Sequence, residues 1–204
     1  LKDKKGNGIA DANITINING KDYIRTTDSN GNAFMKLKLQ PKTYTITAKY
    51  AGNKVNPNAS TINQVKVNSI ILTQDVVKYF KNASAYSVKV IKQDGSVAGA
   101  GEKVTFNING VFYTKTTDAN GVATLGIGLL PGDYIVTAIY KDCMVSNKIT
   151  VKQVLFTDDL NMKYLDGSKF IATLVDGQGK PYANQIVKFN VNGVFYNKVT
   201  DDKG

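Results

Sequence analysis

Two groupings of side chains in this sequence have the types and spacing for chemistry. The first is a pair of oxygen-rich turns, Thr27-Asp28-Ser29-Asn30-Gly31 and Thr117-Asp118-Ala119-Asn120-Gly121, whose carboxylate and amide oxygens cluster as they do around calcium. The related stretch Thr200-Asp201-Asp202-Lys203-Gly204 carries Lys203 where the others carry Asn30 and Asn120, and an ammonium group in an oxygen cage opposes a hard cation. The aspartates are therefore expected to bond to the backbone of their own turns. The second grouping is Lys78, recurring as Lys163, with Asn147, recurring as Asn63. Lysine and asparagine can condense to an intramolecular isopeptide bond, but only beside a buried carboxylic acid that polarises the amide carbonyl and keeps the amine neutral. Glu102 and Asp94 read as loop residues, and the uncharged Gln185 stands where Glu102 would recur. Lys78 is therefore expected at the surface and Asn147 at the start of a closing strand, unlinked.

The sequence has no histidine, and Cys143 is its only thiol. A zinc site of nitrogen and sulfur ligands, a Ser-His-Asp triad and a Cys-His pair are excluded. No acid, base and nucleophile recur together, so no catalytic residue, metal ligand or cofactor-binding residue is assigned and no cofactor is implied. Asn13-Ile14-Thr15, Asn58-Ala59-Ser60 and Asn82-Ala83-Ser84 are glycosylation sequons. With 21 Asn and 26 Ser plus Thr in 204 residues, chance alone supplies about as many, so they carry no information.

The net charge is +10, and nearly all of the positive charge is lysine, since Arg25 is the single arginine. Nucleic-acid readers use arginine for bidentate contacts, so no nucleic-acid partner is expected. Lysine scattered along strands solubilises their faces and blunts sheet edges; a second reading is attraction to an anionic cell-wall polymer or glycan. No apolar run exceeds four residues, so no membrane span is expected, and a hydrophobic content of 42% is enough for a folded, soluble segment.

These residues sit on an internal repeat. Residues 13–50 align with 103–140 at a shift of 90 with 18 of 38 pairs identical, and residues 104–121 align with 187–204 at a shift of 83 with 12 of 18 identical. Asn19-Gly20, Asn109-Gly110 and Asn192-Gly193 mark the same point in each copy. A period this long suits a tandem array of small domains rather than a solenoid. Within a copy the apolar residues alternate with period two, the pattern of a half-buried strand. In the middle copy they are Tyr86, Val88, Val90; Val104, Phe106, Ile108; Leu125, Ile127, Leu129; Tyr134, Val136, Ala138, Tyr140; and Ile149, Val151. The first copy repeats the faces at Ile14, Ile16, Ile18, at Met35, Leu37, Leu39 and at Tyr44, Ile46, Ala48, Tyr50. Asn-Gly between such segments predicts type I′ hairpins, because both central residues need positive φ. Tyr44 and Tyr134, just after Pro41 and Pro131, are expected to act as tyrosine corners of a Greek-key sandwich.

About seven short strands with turns between them predict an all-β fold of tandem immunoglobulin-like antiparallel β-sandwiches. The hairpin phase divides the chain into residues 1–70, a repeat lacking its opening strands; 71–154, a complete repeat; and 155–204, a repeat truncated after its middle hairpin. It reads as a window from a longer array. At a shift of 90, Cys143 falls opposite Asn53 and is expected near a loop, outside the repeat design.

The run Lys78-Tyr79-Phe80-Lys81-Asn82, the segment Val104–Tyr113, the turn Thr116–Ala123 and Leu130-Pro131-Gly132-Asp133-Tyr134-Ile135-Val136-Thr137-Ala138 resemble the Ig-like repeats of adhesin-like surface proteins of methanogenic archaea. Bacterial Big-type Ig-like domains are more distantly similar. The resemblance implies an extracellular, surface-anchored stalk of many such repeats, without naming a ligand. The function expected is a non-enzymatic spacer and adhesive surface whose partners are neighbouring repeats. One alternative is a domain of a self-assembling surface filament of identical chains, in which Val111, Phe112, Val194 and Phe195, apolar where the first copy has Lys21-Asp22, serve as assembly contacts. The other is an accessory carbohydrate-binding module of a larger surface enzyme, weakened by the absence of tryptophan.

Overall fold

Alternating β-branched and polar residues between glycine turns leave the chain no helical face to bury, and the computed structural model, which describes residues 1–204, contains strands and no helix. The chain divides into two units, Leu1–Ser69 and Ile70–Gly204.

The second unit holds one closed sandwich. A three-stranded sheet orders β10 (Val122–Gly126), β7 (Ala85–Val90) and β5 (Ile71–Leu72). The facing sheet orders β6 (Val76–Tyr79), β12 (Cys143–Lys152), β11 (Gly132–Tyr140), β8 (Lys103–Ile108) and β9 (Val111–Thr116). The opening strand is split between the sheets. Ile71 pairs antiparallel with Val90, and three residues beyond Leu72 the chain crosses so that Val76 runs parallel to Ile149. Every other pairing is antiparallel. Two antiparallel sheets sharing their first strand in this way make an immunoglobulin-like β-sandwich.

The core is the alternation read from the sequence. Tyr86, Val88 and Val90 of β7 face Val104, Phe106 and Ile108 of β8, with Ala123, Leu125, Val136, Ala138, Tyr140, Ile149 and Val151 completing it. Tyr86 and Phe106 meet edge to face with ring centres 5.8 Å apart, a favoured arrangement of the ring quadrupoles. Leu129 and Tyr134 pack on the margin, and β10 ends at Gly126, so Ile127 and Leu129 lie beyond the strand that was expected to contain them.

In the first unit β1 (Asn13–Ile18), β2 (Lys21–Thr26), β3 (Lys42–Tyr50) and β4 (Ala59–Val67) form one sheet in the order β2-β1-β3-β4. The strand expected at Met35, Leu37 and Leu39 is not formed. Its counterpart β10 pairs only with β7, and no strand of the first unit lies beside residues 33–39, so this segment has no ladder to join. The same physics shapes residues 155–204. There β13 (Leu155–Thr157) pairs with β14 (Ala172–Leu174), and β15 (Ile186–Val191) pairs with β16 (Val194–Val199). The segment around Lys163 is irregular, and no strand of residues 155–204 pairs with it.

The β3–β4 connection spans residues 51–58, whereas Lys141 and Asp142 alone join β11 to β12. This length difference corrects the alignment of Cys143. Tyr140 pairs with Cys143 as Tyr50 pairs with Ala59, so the cysteine occupies the place of Ala59 at the head of a strand. It follows the Lys141-Asp142 turn directly and is half-buried against the core.

Candidate functional site

The three Asn-Gly turns each join strands by two residues of positive φ: 53° and 76° at Asn19-Gly20, 53° and 78° at Asn109-Gly110, 50° and 85° at Asn192-Gly193. Both signs are those of a type I′ turn, whose twist matches that of the strands. Lys141-Asp142 adopts the same conformation, at 46° and 66°, without the Asn-Gly signal.

The aspartate oxygens of the candidate calcium turns are turned inward onto the backbone. Asp118 Oδ1 accepts from the amides of Asn120 at 2.8 Å and Val122 at 2.9 Å, and Asp28 Oδ1 accepts from those of Asn30 and Asn32, both at 2.9 Å. The amide of Asn32 holds the Asp28 carboxyl below the ordinary aspartate range. Asp3 and Asp176, which the sequence reading passed over, bond the same way to Asn7 and to Gln178 and Lys180. No three acidic or sulfur side chains gather as a metal ligand set.

The turns led by Asp28, Asp118 and Asp201 are each preceded by a threonine whose role sequence reasoning also missed. Thr117 is buried; its hydroxyl donates to the Gly99 carbonyl at 2.6 Å and accepts from the Glu102 amide at 3.0 Å. Thr27 does the same with Ile9 and Ala12, and Thr200 with Tyr182 and Gln185. The signal was the Thr-Asp pair present in all three copies. The Tyr44 hydroxyl donates to the Gln40 carbonyl at 2.8 Å, and that of Tyr134 to Leu130 at 2.9 Å, the bond a tyrosine corner makes.

The lysine and asparagine of the isopeptide reading lie apart. Lys78 is not at the surface as expected: it is 6% exposed, and its Nζ donates to the carbonyls of Ile127 at 2.7 Å and Ser84 at 2.9 Å. Its place on β6 turns it toward the core, where loss of water pulls its pKa down. Its neighbour on β12 is Val151, and Asn147 is four residues further along, about 13 Å at strand spacing. Nor does Asn147 begin the closing strand, which starts at Cys143. Its side chain is held mid-strand by the Tyr86 hydroxyl at 2.8 Å and by Asp75 at 3.0 Å. The acid beside the asparagine is thus Asp75, which the sequence reading did not single out. Glu102 takes the Tyr140 hydroxyl at 2.9 Å and approaches Lys141 at 3.6 Å.

Val111 and Phe112 lie on β9, an edge strand, exposed at 50% and 63%; Val194 and Phe195 on β16 are exposed at 53% and 56%, with Lys188 Nζ 4.0 Å from the centre of the Phe195 ring. Of the sequons, Asn82 has its amide nitrogen on the Gly177 carbonyl at 2.6 Å. No buried side-chain nitrogen or oxygen lacks a hydrogen-bond partner. The polar groups pin loops to strands; they do not converge on a common point.

By strand order the chain is an immunoglobulin-like β-sandwich protein with a repeated turn and hydroxyl scaffold. No family model matches it, and no curated protein matches it. Among solved structures it is similar to a Ca2+-stabilized adhesin of an Antarctic bacterium that binds ice, with 16% identity and a TM-score of 0.30 over 96% of this chain and 56% of that one. It is similar to invasin, a bacterial integrin-binding protein, with 15% identity and a TM-score of 0.29 over 99% of this chain and 50% of the other. The fibronectin(III)-like modules of Clostridium thermocellum CbhA match at 17% identity and a TM-score of 0.28, over 75% of this chain and 82% of theirs. The chain spans about half the length of the first two. TM-scores this low do not superpose whole chains as one arrangement, and the fold class rests on the strand order above.

Proposed function

We propose that the chain is a non-enzymatic extracellular segment of a cell-surface adhesin-like protein, its repeats serving as stalk and spacer and offering an adhesive surface. The observation that carries this reading is the recurrence of one hairpin-and-turn scaffold in three copies. Only residues 153 and 154 separate β12 of one copy from β13 of the next. A connection so short has no flexible linker's slack, so each copy adds length to the same chain. The partners of each repeat are its neighbours, and the charge of +10 draws an anionic wall polymer or glycan. Antibodies raised against residues 71–152 test the location: they are expected to label intact source cells, and labelling only after permeabilisation overturns the reading.

The exposed Val111-Phe112 and Val194-Phe195 edges favour a second reading, lateral assembly of identical chains into a filament, because unpaired strand edges with apolar side chains recruit further strands. Sedimentation of the chain over a range of concentrations separates the two. Association abolished by Phe112→Lys with Phe195→Lys supports assembly; a monomer throughout supports the spacer alone.

A further inference from the structure

Three sister turns recur at the same point of the three copies. In each, residue i donates its amide to the carbonyl of i+4 and accepts from the amide of i+3: Asp3 with Asn7 and Gly6, Lys92 with Ser96 and Gly95, Asp176 with Lys180 and Gly179. Position i+3 is glycine in all three, at φ of 86°, 84° and 78°, because the turn requires the left-handed region there. Position i+1 has no such requirement. It is Lys4 in the first copy and Gln93 in the second, yet Gly177 in the third, where φ is not positive.

The reason for Gly177 lies outside its own turn. A Cβ on it would meet the backbone N and Cα of Asn82 at 3.1 Å each, and the carbonyl carbon of Lys81 at 3.3 Å. Its carbonyl accepts the Asn82 side-chain amide at 2.6 Å. Beside it, a Cβ on Gly179 would lie 2.5 Å from the Tyr79 ring, whereas one on Gly6 or Gly95 would meet nothing within 4 Å. The receiving loop is itself held in place. Tyr79 pairs with Lys152, whose Nζ lies 5.4 Å from the centre of its ring; the Phe80 amide donates to the Lys152 carbonyl at 2.9 Å; and Asn82 Oδ1 accepts from the Ser84 amide at 2.7 Å.

We propose that Tyr79, Asn82, Gly177 and Gly179 form a built joint that fixes the copy at 155–204 against the sandwich of residues 71–152, with position i+1 of this turn and the residue at position 82 deciding whether a given pair of copies docks. Asn82 supplies two functions from one side chain: its oxygen caps its own turn, and its NH2 group reaches the next copy. The residue at the same point one copy later is Asp166, because its amide donates to the Lys163 carbonyl as that of Asn82 donates to the Tyr79 carbonyl. Lys163 thus stands opposite Tyr79 and not, as the sequence alignment had it, opposite Lys78. The Asp166 Oδ1 caps the Ser168 amide at 2.9 Å in the same manner, but the side chain has no N–H to donate. A side chain at i+1, like Lys4 or Gln93, fills the space that Asn82 occupies in this joint. Joints along such an array are therefore not equivalent, and their stiffness is written in two positions. This holds wherever in or on the cell the protein resides.

The test uses the whole 204-residue chain and residual dipolar couplings of its backbone amides. In the wild type, couplings from residues 71–152 and from 155–204 are expected to fit a single alignment tensor. Asn82→Asp keeps the cap on Ser84 and removes the donor, and Gly177→Gln installs the residue of the preceding copy. Each is expected to leave the amide spectrum of residues 71–152 dispersed and to require two tensors of different magnitude. Gly128→Ala, at a glycine with open space and no positive φ, serves as the control and is expected to keep one. Two tensors in the wild type, or one shared tensor retained in both joint variants, overturns the proposal. Should either variant fail to fold, the other decides.

Discussion

Lys78 is the residue whose environment departs furthest from its type. A lysine turned into a sandwich is tolerated because two carbonyls accept hydrogen bonds from its ammonium group, and cutting it back leaves the buried Ile127 carbonyl without that donor. Lys78→Met is expected to lower stability by about 1–3 kcal/mol, the range for orphaning a buried polar group, as measured by denaturant unfolding. Burial lowers the folded-state pKa of this amine from 10.5. The penalty for keeping it charged is therefore present below the folded value and is relieved as pH rises toward 10.5, so the wild type should gain stability relative to Lys78→Met across that window. Because Lys78 faces Val151 and not Asn147, the intact mass of the chain should equal that of its sequence, without loss of one ammonia. Asp28 shows the opposite sign. Its folded pKa lies below 3.8 because its carboxylate takes the Asn32 amide, so its contribution is present above 3.8 and lost as pH falls through the folded value. Melting temperatures of wild type and Asp28→Asn should differ at neutral pH and converge in acid.

Between strands, the recurring device is a hydroxyl that holds a loop to the end of a strand. The threonines at 27, 117 and 200 each accept one backbone amide and donate to one carbonyl, and all three stand just before an Asp-led turn. Thr117→Val keeps the shape and removes both bonds. It is expected to destabilise residues 71–152 by about 1–3 kcal/mol through the unsatisfied Gly99 carbonyl and Glu102 amide, with Thr117→Ser recovering most of the loss in the same melting experiment. An aromatic or aliphatic core substitution would act through a cavity instead, so rescue by serine identifies the bond as the cause.

For the whole molecule, a core made entirely from residues 71–151 and two sheets that complete each other predict that residues 70–152 fold alone. Expressed separately, the segment should give a β-type circular dichroism spectrum and one cooperative thermal transition; helix, or a gradual melt, would show that the sandwich needs its neighbours. The alternation Val104-Phe106-Ile108 and the Asn-Gly turns were legible in the sequence because they are local: side-chain period and the sign of φ depend on a few consecutive residues. What stayed hidden depended on partners distant in sequence. Met35–Leu39 has the pattern of a strand but no strand beside it, since a ladder needs two chains of unpaired amides. Lys78 reads as a surface lysine until the parallel pairing of β6 with β12 turns it to the core. Asp75 carries no signal by itself, and it acquires a role only when β12 brings Asn147 and the Lys148 amide to it across 72 and 73 residues. Gly177 is the sharpest case: its own turn accepts lysine or glutamine, and only the backbone of Asn82, 95 residues earlier, gives the missing side chain a reason. The sequence by itself determined the repeat, its Asn-Gly turns and which apolar residues of the middle copy face inward, because those follow from short-range geometry. The tertiary structure alone decided which polar side chains are buried and why Gly177 carries no side chain, because those depend on the space left by atoms far along the chain.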